Sequence, residues 1–323
     1  MTKPTLSLNC TDIEMINDTE LNNSTTTFST SEFIVVYFSM LITLFGLVGN
    51  GLVLWFLSFH FKKTPFTVYV LNLAVADFLL LLISKVVFLY IVCGAWKQIS
   101  VGPSISLLLT VTYYAGLCIL TAISVERCLS LTFPFWYRCK RPKYQSGITS
   151  AILWVVSILL TYIDIFGCNG TDYKNRELKC TVMIIGTSTL SLLIFSPAMV
   201  LSSLILFIKI WTKTWCQHSS KLYIVIVVTV IIFILFTTPP RLLSLLFYFN
   251  IIHVKNFFIV YTWSLFCSVI NSAANPFVYF FVGSMGKQGV GVSIQGALQK
   301  VFKEDSDISQ ETAQDTEASE IKM

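Results

Sequence analysis

The sequence predicts an all-α fold, a seven-transmembrane helix bundle with its N-terminus outside the cell and its C-terminus inside. Three observations carry that prediction. Seven apolar runs, at 33–59, 66–92, 101–131, 147–166, 181–210, 221–248 and 257–283, each reach the ~20 residues a helix needs to cross a bilayer. Apolar residues make up 55% of the 323-residue chain and charged residues only 12%, about half the charged share of a soluble protein. Two sets of polar signals, acceptor sites for glycans and clusters of Lys and Arg, fall on opposite sides of the runs. Within hydrocarbon every backbone polar group needs a partner inside its own segment, so the runs are read as helices and open strands are excluded.

Four regions follow. Residues 1–32 form a polar N-terminal tail expected outside and glycosylated. Residues 33–283 form the membrane domain. Residues 284–303 suit a weak amphipathic helix at the inner membrane face, weak because Gly286, Gly289, Gly291 and Gly296 interrupt it and each interior Gly costs about 1 kcal/mol relative to Ala. Such a helix is expected to start late, nearer 294–302. Residues 304–323 are acidic and read as a disordered cytoplasmic tail. The N-terminal tail has no apolar core, so the first run is expected to act as its own insertion signal.

The orientation rests on the two polar signals. Asn9, Asn17, Asn22 and Asn23 in the tail, and Asn169 between the fourth and fifth runs, each begin an Asn-X-Ser/Thr glycan acceptor. Lys62 and Lys63 follow the first run; Arg138, Lys140, Arg141 and Lys143 follow the third; Lys213 follows the fifth. Basic loops stay on the cytoplasmic side. The connection carrying Asn169 is basic as well, with Lys174, Arg176 and Lys179, and there the glycan signal and the seven-run count decide. The net charge of +5 belongs to these loops. It is not a nucleic-acid footprint, since no basic cluster is interleaved with exposed aromatics.

The runs are then distinguished by their polar residues, which are expensive at membrane depth and therefore informative. In the first, Gly46, Gly49 and Gly51 suit close helix packing, and Asn50 is a candidate partner for Asp77 in the second. The third ends on Glu126-Arg127-Cys128, where opposite charges at a membrane edge either cap the helix or lock one conformation. The fifth, sixth and seventh contain Pro197, Pro239 with Pro240, and Pro276; each frees a carbonyl and bends its helix. In the seventh, Asn271 and Asn275 are one turn apart on one face, with Ser272 beside them. Asp77, Asn271, Ser272 and Asn275 form either a packing cluster of hydrogen bonds or a site that also holds a small hard cation with water. Nearer the outside, Lys85, Tyr113, Asp164, Arg241, Tyr248, Tyr261 and Trp263 suit a pocket open to the exterior. A belt of interfacial aromatics is the other reading of its Tyr and Trp residues.

Nine cysteines are present. Cys93, Cys118, Cys128, Cys139, Cys216 and Cys267 fall in runs or near the inner face and are expected to be reduced. Cys168 and Cys180 share one outer connection; a bridge between them would contribute about 3 kcal/mol on the chain-entropy estimate, and two free thiols are the alternative.

Asn50, Asp77, Glu126-Arg127-Cys128, Trp154, Pro197, Pro239 and Asn275-Pro276-Phe277-Val278-Tyr279 occur in order, one set per run. In this the chain resembles the rhodopsin-like (class A) G-protein-coupled receptors over roughly 33–285. More narrowly, the stretches 120–130, 136–144, 219–226 and 270–284 are similar to the Mas-related receptors. The resemblance implies a plasma-membrane receptor, not an enzyme, that binds an extracellular peptide or small charged molecule and activates heterotrimeric G proteins. It implies coupling through Glu126, Arg127, Pro134 and Phe135, with Phe135 docking in an apolar pocket of the G protein. It implies an activation switch of Asn275, Pro276, Tyr279, Pro197 and Pro239. Asp164 matches an acid that cation-binding members use on the fourth helix, and the ligand contacts expected with it are Arg241, Tyr113, Thr237, Tyr261 and Trp263. Cys168 and Cys180 match a family disulfide, and Asp77 matches a sodium-site acid, so no cofactor is implied beyond a weakly held sodium ion. The Ser and Thr residues of the C-terminal tail suit receptor kinases and arrestin, or simply solvation.

Departures from the class A pattern sharpen the expectation. Gly102 replaces the usual outer cysteine of the third helix, Leu109 replaces the acid that anchors amines, and Thr237 replaces a switch tryptophan. Gly116 stands where the sodium site often has a hydroxyl, and Ile205 where a tyrosine supports the active state. With Lys85 and Arg241 against Asp164, a carboxylate-bearing ligand is favoured over a dication. A transporter or channel is the alternative function, but only Asp77 lies deep in a run and no internal repeat is present. No Lys lies between Phe257 and Gly283, which excludes a retinal Schiff base there.

Overall fold

The computed structural model describes residues 30–61, 63–93, 102–133, 137, 142, 144–166, 185–212, 220–249, 257–284, 295–299 and 301. Among them seven helices are long and apolar enough to span a membrane. These are α1 (Thr30–Phe59), α2 (Pro65–Val92), α3 (Gly102–Thr132), α4 (Gln145–Phe166), α5 (185–212), α6 (Ser220–Tyr248) and α7 (Phe257–Ser284). Their bounds match the expected runs to within a few residues. The expected start of the fifth run, 181–184, lies outside the described residues.

Apolar side chains face both ways. Phe45, Trp55, Ile152, Leu193, Leu235 and Phe281 are exposed on the outside of the bundle, where a soluble protein would place charge; hydrocarbon is the solvent that tolerates them. Inside, α3 packs on α2, α4, α5 and α6, while α1 lies against α2 and α7, and α7 also against α6 and α2. α3 is therefore the axis around which the others close.

The α1–α7 contact explains two of the three glycines. A Cβ at Gly46 would sit 2.7 Å from Ala273 Cβ, and one at Gly49 2.9 Å from Pro276 Cβ. A Cβ at Gly51 would have only an ordinary contact with Phe78. The buried apolar residues form two clusters. One gathers Val53, Leu57, Leu73, Leu120, Ile123, Val230, Val278 and Val282; the other gathers Val36, Leu81, Phe88, Ile91, Val269 and Ala273. Along α1, α2 and α7 the division between them falls near Asn50, Asp77 and Asn275, so a polar layer lies where the two cores meet.

Local chemistry sets the helix details. At the start of α2 the Thr67 N–H donates to Thr64 Oγ1 at 3.2 Å and the Thr64 N–H donates to Thr67 Oγ1 at 2.8 Å, with Pro65 opening the helix. This is a capping box built from two threonines. In α5, Ser191–Phe195 winds as a π-turn just before Pro197, and the Ser196 N–H and hydroxyl both reach the Ser191 carbonyl. The wider turn re-satisfies backbone that proline disturbs. Residues 295–299 are helical (α8), and Ala297, Leu298 and Val301 are buried, the last two within the larger cluster. A side chain on Gly283 would overlap the Ala297 backbone, so α8 lies hard against the end of α7.

Candidate functional site

Three groups of polar residues line up through the bundle. The first is at the end of α3. Glu126 and Arg127 are successive on α3 and so point in different directions round it. Phe66 and Tyr69, three apart, share the opposing face of α2. Tyr69 donates its hydroxyl to Glu126 Oε1 at 3.2 Å. The Arg127 guanidinium lies over the Phe66 ring, 4.3 Å from Cζ to centroid, and Arg127 is only 5% exposed. The two charges of the expected lock are thus each engaged by an aromatic residue of α2.

The second group is the polar layer. Asn275 Nδ2 donates to Asp77 Oδ2 at 2.7 Å, and Ser272 lines the same cavity as the carboxylate. Asn50 Nδ2 donates to the carbonyls of Gly46 at 3.0 Å and Ser272 at 3.1 Å, tying α1 to α7. On the far side of α2, Trp154 Nε1 donates to Asn72 Oδ1 at 3.1 Å, tying α4 to α2.

The third group lies toward the other end of α3. Arg241 of α6 donates from Nε to the Tyr113 hydroxyl at 3.2 Å, with its Cζ 4.5 Å from the Tyr113 ring centroid and 5.4 Å from that of Tyr114. A cavity joins this group to the polar layer, lined by Asp77, Thr112, Tyr113, Gly116, Thr237 and Asn271 among others. It is narrow, about 10 Å³, room for on the order of one water-sized occupant. The sequence explains why it is open. Thr237 is short where an indole would fill the space, and a Cβ at Gly116 would lie 4.0 Å from Asp77 Oδ1. The donor set on the cavity wall, one carboxylate, a serine hydroxyl and the Asn271 amide oxygen, beside room for water, fits a small hard cation. Gly116 contributes no oxygen to it.

This order of groups along one bundle can be set against known chains. The family profile described as 7 transmembrane receptor (rhodopsin family) matches residues 49–279, spanning all three groups. The chain is 44% identical over 278 residues to the human protein named Proto-oncogene Mas, covering 84% of each. It belongs to the Mas-related branch of the rhodopsin-family G-protein-coupled receptors. The rat Mas-related G-protein coupled receptor member H is 39% identical over 287 residues, 88% of this receptor and 89% of its own length. The mouse member B4 is 38% identical over 303 residues, 89% of each. The receptor is a multi-pass plasma-membrane protein for signalling, and its relatives are receptors rather than enzymes or transporters.

The receptor brings Asp77, Asn271 and Ser272 to the cavity wall, with Asn275 bonded to Asp77, and joins Tyr113, Thr237 and, through Tyr113, Arg241 to it. Pro197, Pro239, Pro276 and Tyr279 lie in the helices expected, with Tyr279 buried. Two expected ligand contacts lie apart from this cavity. Trp263 is 48% exposed and meets Phe266 edge-on, and Phe266 meets Phe38 of α1. It lies five residues from cavity-lining Ser268, about 140° round the helix, and so takes the place of an interfacial aromatic. Tyr261 is two turns beyond Ser268 and packs on the smaller apolar cluster, not on the cavity wall. Pro134, Phe135, Cys168, Cys180, Asn9, Asn17, Asn22, Asn23 and Asn169 lie outside the described residues, as does the Asp164 side chain.

Sequence reasoning missed Phe66, Tyr69, Thr112 and Ser268. The first two carried a usable signal: aromatics three apart, directly after a Thr-Pro helix start, on the end of α2 that topology puts beside the end of α3. Thr112 and Ser268 carried none, because a lone hydroxyl on an apolar helix more often returns its bond to its own backbone. Both do so here, Thr112 to Leu108 and Leu109 and Ser268 to Ser264.

Proposed function

We propose that this receptor binds an extracellular ligand carrying a carboxylate, a peptide or a small charged molecule, at Arg241 and Tyr113, and passes the binding energy to a heterotrimeric G protein through Arg127. The observation that supports it is the Arg241–Tyr113 tie between α6 and α3, set over the cavity that leads to Asp77. A carboxylate offers the guanidinium a stronger, two-pronged partner than a phenol hydroxyl. Exchanging one for the other loosens α6 from α3, and the prolines of α6 let that change appear as a tilt at the far end. Differential binding to the two arrangements is all that coupling requires. Asp164 is included as a ligand contact, and Thr237 as the small residue that keeps the floor of the pocket open. Asp77, Ser272, Asn271 and Asn275 would hold a sodium ion, which supplies positive charge to the layer between ligand and partner.

The reading extends to parts of the chain known from sequence alone. The N-terminus is outside and carries glycans at some of Asn9, Asn17, Asn22, Asn23 and Asn169; Cys168 and Cys180 form a bridge; Pro134 and Phe135 complete the G-protein contact; and the C-terminal tail receives kinases and arrestin. Glycosidase treatment of surface-labelled cells and non-reducing peptide mapping test the first two.

The central experiment is a second-messenger panel in transfected cells against peptides and acidic or basic small molecules. Arg241→Ala lowers agonist potency by about tenfold or more, the worth of one charge-assisted bond, and Asp164→Ala changes it as well. Unchanged potency in both variants rejects the pocket. Arg127→Ala abolishes the response; a full response without it rejects the coupling route.

A further inference from the structure

We infer that Phe66 and Tyr69 are positioning residues that hold the Glu126–Arg127 pair in its resting place, so that α2 acts as a brake on coupling. The inference rests on the coupling role of Arg127 proposed above, and adds residues that role did not include. A guanidinium that is 5% exposed needs partners, because a buried charge is costly without them. The flat Phe66 face supplies one, with Cζ over the ring 4.3 Å from its centroid, a cation–π contact that arginine makes more often than lysine. One turn on, Tyr69 bonds Glu126 at 3.2 Å. The two aromatics therefore grip neighbouring residues of α3 from a single face of α2.

Both are fixed in their turn. Phe66 and Tyr69 are buried at 2% and 1% exposure, and Phe66 lies inside the Thr64–Thr67 capping box that sets the first turn of α2. The ring is thus held by local backbone chemistry rather than by a mobile loop. While Arg127 lies on it, a partner helix arriving at that end of the bundle cannot reach the guanidinium. To serve a partner, Arg127 must leave the ring.

The test measures two quantities in receptor reconstituted in lipid. One is agonist-free nucleotide exchange on a panel of heterotrimers. The other is the rate at which phenylglyoxal modifies Arg127, followed by peptide mass spectrometry, which needs no G protein. Phe66→Leu raises both by about two- to thirtyfold, the span that loss of one cation–π contact sets. Phe66→Tyr, which keeps a ring face, returns both toward the parent values. Tyr69→Phe removes a hydroxyl and almost no volume, and raises both by a smaller factor even where Phe66→Leu folds poorly. If Phe66→Leu and Tyr69→Phe both leave Arg127 modification unchanged, or if Phe66→Tyr behaves as Phe66→Leu does, the holder is rejected. If modification rises as expected while no heterotrimer responds to any form of the receptor, the holder stands and the coupling role of Arg127 fails.

Discussion

Asn50 is the residue whose effect is simplest to read. Its amide donates to carbonyls on two helices, Gly46 of its own and Ser272 of α7. Hydrogen bonds between membrane helices are worth on average less than a kilocalorie and at most about 2 kcal/mol, because an unfolded chain in lipid finds other partners. Asn50→Ala is therefore expected to lower stability by about 1 kcal/mol, read as a lower thermal midpoint in nanodiscs, without unfolding the receptor. Arg241 and Arg127 show that the environment, not residue type, assigns a role. Both are arginines whose Cζ lies over an aromatic ring, at 4.3 and 4.5 Å from the centroid. One bonds Tyr113, which lines a cavity running to Asp77, whereas the other is closed under α2 at the far end of α3.

At the scale of elements, the close contacts are made by what is missing from a side chain. Gly46 and Gly49 let α1 approach Ala273 and Pro276, so Gly46→Val forces the helices apart. Overpacking of this kind costs about 1–3 kcal/mol and should show as reduced surface expression and a lower midpoint. Gly51→Val serves as the control with little effect. The same logic applies where α8 meets α7. Because a side chain on Gly283 would overlap the Ala297 backbone, Gly283→Val should displace α8 and expose Leu298 and Val301, measured as faster amide exchange over 295–301. The late start expected for this helix came from glycines that weaken its first half. That it packs beneath α7 was not readable, since burial of Ala297 depends on a glycine fourteen positions earlier.

For the molecule as a whole, the polar layer between two apolar cores is the feature with the widest reach. It ties α1, α2 and α7 through one carboxylate and two amides, and opens on the cavity beneath Tyr113 and Thr237. If it holds sodium, the thermal midpoint of the receptor rises when sodium replaces potassium at constant ionic strength, and Asp77→Asn removes the difference. No difference in the parent receptor would leave the layer as a packing device alone. The layer also links the Arg241 end to the Arg127 end, since Asn275 and Tyr279 are one turn apart on α7 and both buried.

The sequence by itself determined the seven spans, their order and their bounds to within a few residues. In a bilayer, length and apolarity decide which segments are helices, and backbone hydrogen bonding leaves no alternative. It also named Asp77, Asn275, Arg127 and Arg241 as residues with something to do, because charge and amide groups are too costly at that depth to be there idly. The tertiary structure alone decided which of these meet. Arg241 found Tyr113 a helix away, Arg127 found Phe66, and Trp263, equally prominent in sequence, turned outward. Those outcomes depend on the rotation of each helix about its own axis, set by packing at glycines, caps and prolines on neighbouring helices. A hydropathy pattern that is apolar on every face carries almost no information about that rotation.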